Sequence, residues 1–153
     1  MIEIAALRAD SVNLPLFLHV LGAFAMIGAL TLAASFLVQA RRDGSLALTR
    51  RGFRTLLLGV IPAFLVMRIA AQWLLDEEGL QDAELAWIDF GFISTDIGIL
   101  FLLIATVATG MVVRRAGSDE AAKSGWVTFA TWLVGILLVV YAVVIWAMAT
   151  KPA

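Results

Sequence analysis

This sequence predicts an all-α membrane protein, a bundle of four transmembrane helices. Three observations carry that prediction. Four apolar stretches each run for about twenty residues or more, the length a helix needs to cross a bilayer. Hydrophobic residues make up 62% of the chain and the mean hydropathy is +0.98, whereas ordinary soluble domains are nearer half apolar. The charges lie mostly between the stretches, segregated by sign. A length of 153 residues suits a single four-helix domain covering residues 1–153.

The first thirteen residues mix Glu3, Arg8 and Asp10 with small apolar side chains and read as a short surface segment. They lack a basic leader region, and the apolar stretch that follows is too long for a signal peptide. Asn13 is the expected N-cap, with Pro15 in the first turn, where a missing N–H costs nothing. The first span runs from about residue 14 to 40. Gly22, Ala25, Ala29 and Ala33 recur three or four apart along it and give a face that another helix can approach closely.

A loop over 41–54 follows, with five arginines and one aspartate. The second span, 55–75, carries Pro62 near its middle, where the lost backbone bond should kink the helix. Residues 76–89 hold six acidic groups and no Lys or Arg. The third span covers about 87–113, a loop over 114–124 holds three basic and two acidic residues, and the fourth span covers about 125–150.

The basic residues set the expected orientation. Loops 41–54 and 114–124 carry eight Lys and Arg, against only Arg8 and Lys151 on the other side. By the positive-inside rule the chain is a multi-pass cell-membrane protein with both termini extracytoplasmic. Trp73, Trp87 and Trp146 then fall near the outer boundary, and Trp126 and Phe53 near the inner one, as interfacial anchors. A shift of 73 residues lays Arg41-Arg42-x-Gly44-Ser45 on Arg114-Arg115-x-Gly117-Ser118 and Trp73 on Trp146. This points to two helical hairpins as an internal repeat.

The polar residues inside the spans are few. At about 1.5 Å per residue, His19 lies roughly 6 Å deep, Asp96 roughly 10 Å, Arg68 roughly 12 Å and Tyr141 roughly 15 Å. Each comes from a different helix, and all four lie in the expected outer half. Gln72 stands one turn above Arg68 on the same face. Arg68 is expensive in hydrocarbon unless it is paired or reaches water, and Asp96 and Asp89 are its two possible partners. The layer has two readings. It is an outward-facing ligand-binding pocket formed by His19, Arg68, Gln72, Asp96 and Tyr141, or it is a structural network that fixes helix order.

Several chemistries are excluded. The chain has no cysteine and one histidine, so disulfides, thiolate nucleophiles, Cys-bound metals and bis-histidine haem ligation within one chain are out. No phosphate loop, GxSxG, HExxH or DxDxDG is present. The expected inner halves of the spans offer only Thr31, Ser35, Thr55, Thr106 and Thr109, which makes a poor path for ions or protons. The arginines at 50–54 form a basic cluster suited to anionic lipid heads, or serve topology alone.

Leu16-Phe17-Leu18-His19-Val20-Leu21-Gly22, followed by Gly28, resembles the first helix of small bacterial membrane families similar to the copper-resistance D domain and the HemJ-type protoporphyrinogen oxidases. The resemblance covers the first span only. It implies haem as the cofactor, with His19 as an axial ligand. The functional expectation is a non-catalytic or redox-accessory protein whose pocket holds haem or another small apolar ligand. The alternative is a structural or assembly subunit of a larger membrane complex. Expected partners are the lipid bilayer and a second copy or a larger complex, not nucleic acid. The small residues Gly91, Gly98 and Ala105 of span three add to the expectation of a homodimer.

Overall fold

Two helical hairpins make the bundle. The computed structural model describes residues 10–80, 86–115 and 125–150. Helix α1 spans Asp10–Asp43; a second rod consists of α2 (Leu46–Thr55), a π-helical turn (Leu56–Val60) and α3 (Ile61–Glu77). Helix α4 covers Ala86–Arg115 and α5 covers Gly125–Ala149. All four rods are long and apolar enough to cross a membrane, which makes this a multi-pass membrane protein.

The helices begin and end differently from the sequence expectation in three places. First, Asn13 is not an N-cap: α1 already includes Asp10, and Pro15 lies inside it. Second, segment 41–54 is not a loop. Only Gly44 and Ser45 interrupt the helices. Gly44 takes φ +65°, a left-handed conformation that ends α1 cheaply only in glycine. Ser45 then caps α2, its side chain accepting from the Leu48 N–H at 3.4 Å. Leu46, Thr49 and Gly52 form the buried face of α2, while Arg50, Arg51 and Arg54 are exposed. Third, the acidic segment is helical as far as Glu77 and again from Ala86.

Pro62 has the local consequence its chemistry demands. It cannot donate a backbone bond, and its ring crowds the carbonyl four residues back. The chain answers with the wider π-turn immediately before it, and the Ile61 N–H bonds the Leu56 carbonyl.

Packing is uneven. Within the hairpins, α1 lies along α3 and α4 along α5; between them, α1 meets α5 and α2 meets α4, but α3 and α4 barely touch. The core is apolar, with Met26, Leu30, Leu37, Leu56, Leu102 and Leu137 almost wholly buried. The small-residue face of α1 is largely consumed within the chain. A Cβ on Gly22 would stand 2.7 Å from the Met67 backbone nitrogen, and one on Gly59 3.3 Å from Ala29 Cβ. On α4, Gly98 abuts Tyr141 and Ala105 is buried. Gly22, Ala33, Gly98 and Ala105 thus serve packing inside the bundle, whereas Ala25 of the same stripe is exposed. The half-buried Phe53 packs its ring against Gly110, where a Cβ would come within 2.8 Å. Trp126, Trp146 and Trp73 are exposed as expected. Arg8, Lys151 and the side chain of Trp87, which entered the orientation argument, lie outside the described residues.

The hydroxyls of Thr31, Ser35, Thr55, Thr106 and Thr109 each donate to the carbonyl four residues earlier in the same helix. Their protons are thereby committed within the helix, which leaves only the oxygen lone pairs as acceptors.

Candidate functional site

Where α3 and α4 separate, the bundle holds a cavity of about 450 Å³. All four rods contribute to its wall: His19, Ala23 and Met26 from α1, Met67 and Arg68 from α3, Phe92 and Thr95 from α4, and Tyr141 and Val144 from α5. The wall is almost wholly apolar. This is the acidic end of the bundle, opposite the end where the arginines of α1, α2 and α4 collect.

The first polar element is His19. Gly22, one turn further along α1, lets that helix rest directly on the Met67 backbone. The close approach brings His19 Nδ1 to 3.1 Å from the Met67 carbonyl oxygen. A carbonyl can only accept, so Nδ1 carries the proton and donates. In the neutral ring Nε2 is then the bare, accepting nitrogen, and among the described residues it has no hydrogen-bond partner. The same carbonyl bond fixes the ring's orientation.

The second element is Arg68. Its Nε donates to Asp96 Oδ1 at 3.3 Å and its Nη1 to Gln72 Oε1 at 3.4 Å. Gln72 Nε2 in turn donates to Asp76 Oδ1 at 3.4 Å. The guanidinium carbon stands 4.2 Å from the Phe92 ring centroid, a cation–π contact. This ladder leads the charge of Arg68 up α3 toward the helix end and away from hydrocarbon.

The third element is Tyr141. Its ring lines the cavity and is buried, with the hydroxyl seated in the notch left by Gly98. That hydroxyl has no hydrogen-bond partner among the described residues.

The five residues singled out from the sequence thus divide. His19, Arg68 and Tyr141 share the cavity wall. Asp96 pairs with Arg68, as one of the two sequence options had it, but neither Asp96 nor Gln72 lines the cavity. The side chain of Asp96 is 63% exposed on the bundle surface, against 27% for Arg68. The sequence reading missed the Met67 carbonyl and the positioning role of Gly22. Gly22 carried a signal, as part of the small-residue face; a backbone acceptor carries none. Of the phenylalanines near this layer, Phe92 lies in the wall, whereas Phe17 is exposed and Phe64 is buried in the core.

Haem can be tested against this site. The donor chemistry suits it, since a histidine whose Nδ1 is held by a carbonyl presents Nε2 to a metal. The space does not. An apolar cavity of about 150 Å³ takes one benzene ring, so about 450 Å³ takes some three rings. A porphyrin has four pyrroles and their side chains. Among the described residues lining the cavity, its propionates would find one permanent cation, Arg68, which already serves Asp96 and Gln72. Among the described residues no group of three or more His, Cys, Asp or Glu could hold a bare metal ion.

No family model, curated protein or solved structure matches this chain. The functional reading therefore stands on the site itself.

Proposed function

We propose that this chain binds a small, largely apolar ligand of two or three rings in the cavity beside His19. One observation carries the proposal: His19 is fixed by the Met67 carbonyl, with Nε2 unpartnered among the described residues, in an apolar chamber walled by all four rods. Its volume lies within the usual range of small-molecule sites. Charge counting supports an orientation with the acidic end outside and the arginine end cytoplasmic. The 73-residue shift that aligns the two hairpins also lays His19 on Phe92 and Arg68 on Tyr141, all four in the cavity wall. That correspondence favours a duplication with the site on its axis.

The test is mild extraction followed by native mass spectrometry, beside a variant, Ala23→Phe, that fills the cavity. The expected result is a copurified organic species on the natural chain that the variant lacks. A natural chain and variant of identical mass balance would count against the site. An absorption spectrum of the same sample tests haem directly, and the volume argument predicts no Soret band.

A second reading is that of a subunit in a larger membrane complex, favoured by the exposed carboxylate of Asp96. A carboxylate facing lipid is costly, and a partner helix carrying a donor would cover it. Cross-linking in the native membrane from a cysteine at Ile93 or Ile97, both exposed on α4, distinguishes this reading by whether a stoichiometric partner is captured.

A further inference from the structure

The polarity of the anchoring atom narrows the ligand class, given that the cavity is a ligand site. We infer that the ligand is a hydroxylated ring system, a phenol or hydroquinone, that enters sideways from the bilayer and donates its O–H to His19 Nε2. The first premise is geometric. The Met67 carbonyl requires a proton on Nδ1, so the neutral tautomer compatible with that contact leaves Nε2 as an acceptor on a ring that lines the cavity. A quinone or ketone brings only acceptors and would leave Nε2 unmatched. A hydroxyl on an aromatic ring supplies the missing donor while its ring satisfies the apolar wall.

The second premise is access. Among the residues lining the cavity, Val20 and Phe24 on α1 and Ile145 on α5 are also exposed on the bundle surface, Phe24 to 75%. The flank of the cavity formed by these side chains is therefore apolar and reaches the lipid-facing surface. A charged or sugar-like ligand would have to cross hydrocarbon to reach it; a phenol or hydroquinone partitions there. The third premise is size, since about 450 Å³ accommodates a bicyclic or tricyclic core.

The chain has one histidine, so its labelled imidazole nitrogens give a single pair of NMR signals. The experiment titrates ¹⁵N-histidine-labelled protein in lipid nanodiscs with 2-naphthol and, separately, with 2-methoxynaphthalene. The two probes share a ring and differ by one donor. The unliganded spectrum is expected to show a protonated Nδ1 and a bare Nε2. 2-Naphthol should shift Nε2 and bind about tenfold or more tightly than the ether, the ratio expected for one satisfied buried acceptor. Equal binding of both probes with Nε2 unmoved would keep the cavity as a ligand site and overturn the hydroxyl assignment. A resting ring protonated on Nε2 alone would overturn the assignment outright. Failure of both probes to perturb His19 or the cavity methionines, Met26 and Met67, would overturn the ligand site itself.

Discussion

The two ends of this bundle are built on opposite terms. At the arginine end, α2 is wedged between α1 and α4. Gly52 sits against Leu37, Phe53 packs on Gly110, and Thr49 is wholly buried. Its seven exposed arginines face outward, away from these contacts. At the acidic end, α3 and α4 part, a cavity fills the space, and the polar residues point inward or along the seam. One end is close-packed and charged only on its surface. The other gives up packing for a chamber and a few placed polar groups. In hydrocarbon, where helices associate through close van der Waals contact and not through exclusion of water, the first end supplies cohesion that the second can forgo.

The sharpest way to break that comparison is to spoil the helix-on-backbone contact at the open end. Gly22→Leu forces a side chain into the Met67 backbone. It is expected to cost about 3 kcal/mol and to release His19 from the Met67 carbonyl together with the helix. Thermal unfolding in detergent reads the first effect and the imidazole ¹⁵N spectrum the second. Next in size, Gly98→Val collides with the Tyr141 hydroxyl and should cost about 2 kcal/mol; pairing it with Tyr141→Ala should recover part of that loss, a coupling measurable as a double-mutant cycle.

A change of opposite sign follows from the orphaned hydroxyl. Tyr141→Phe removes a buried group with no partner among the described residues. It should stabilise the ligand-free bundle by about 1 kcal/mol, as read from its unfolding midpoint. Asp96→Asn should be milder still, below about 1 kcal/mol, because the amide keeps an oxygen that can accept from Arg68 Nε and Arg68 retains its bond to Gln72. Arg50→Gln at the closed end should leave both stability and probe binding within error, since that side chain is exposed and makes no ion pair among the described residues.

Much of the architecture was legible in the sequence because apolar length is an unambiguous signal in lipid. Four spans follow from it directly, and Pro62 announced its own irregularity. The register of polar residues was also legible in depth, since rise per residue is constant; that is why His19, Arg68 and Tyr141 were found together. Rotation about each helix axis was not. A helix that is apolar all round gives no indication of which face turns inward, so Asp96 was expected in the pocket and stands on the surface. The α2 helix was hidden for a different reason. Its arginines look like a loop until Leu46, Thr49 and Gly52 are seen to share one face. The Met67 carbonyl belongs to every residue type alike and no sequence can mark it.

The parting of α3 from α4 has a mechanical meaning. The hairpins are fastened along α1 with α5 and α2 with α4, while at the far end the seam between α3 and α4 is bridged by the Arg68–Asp96 pair. That is the layout of a clamp, with its hinge among the arginines and a single latch near the acidic rim. On the proposed function, a bulkier ligand would strain this ion pair first and the close-packed arginine end last.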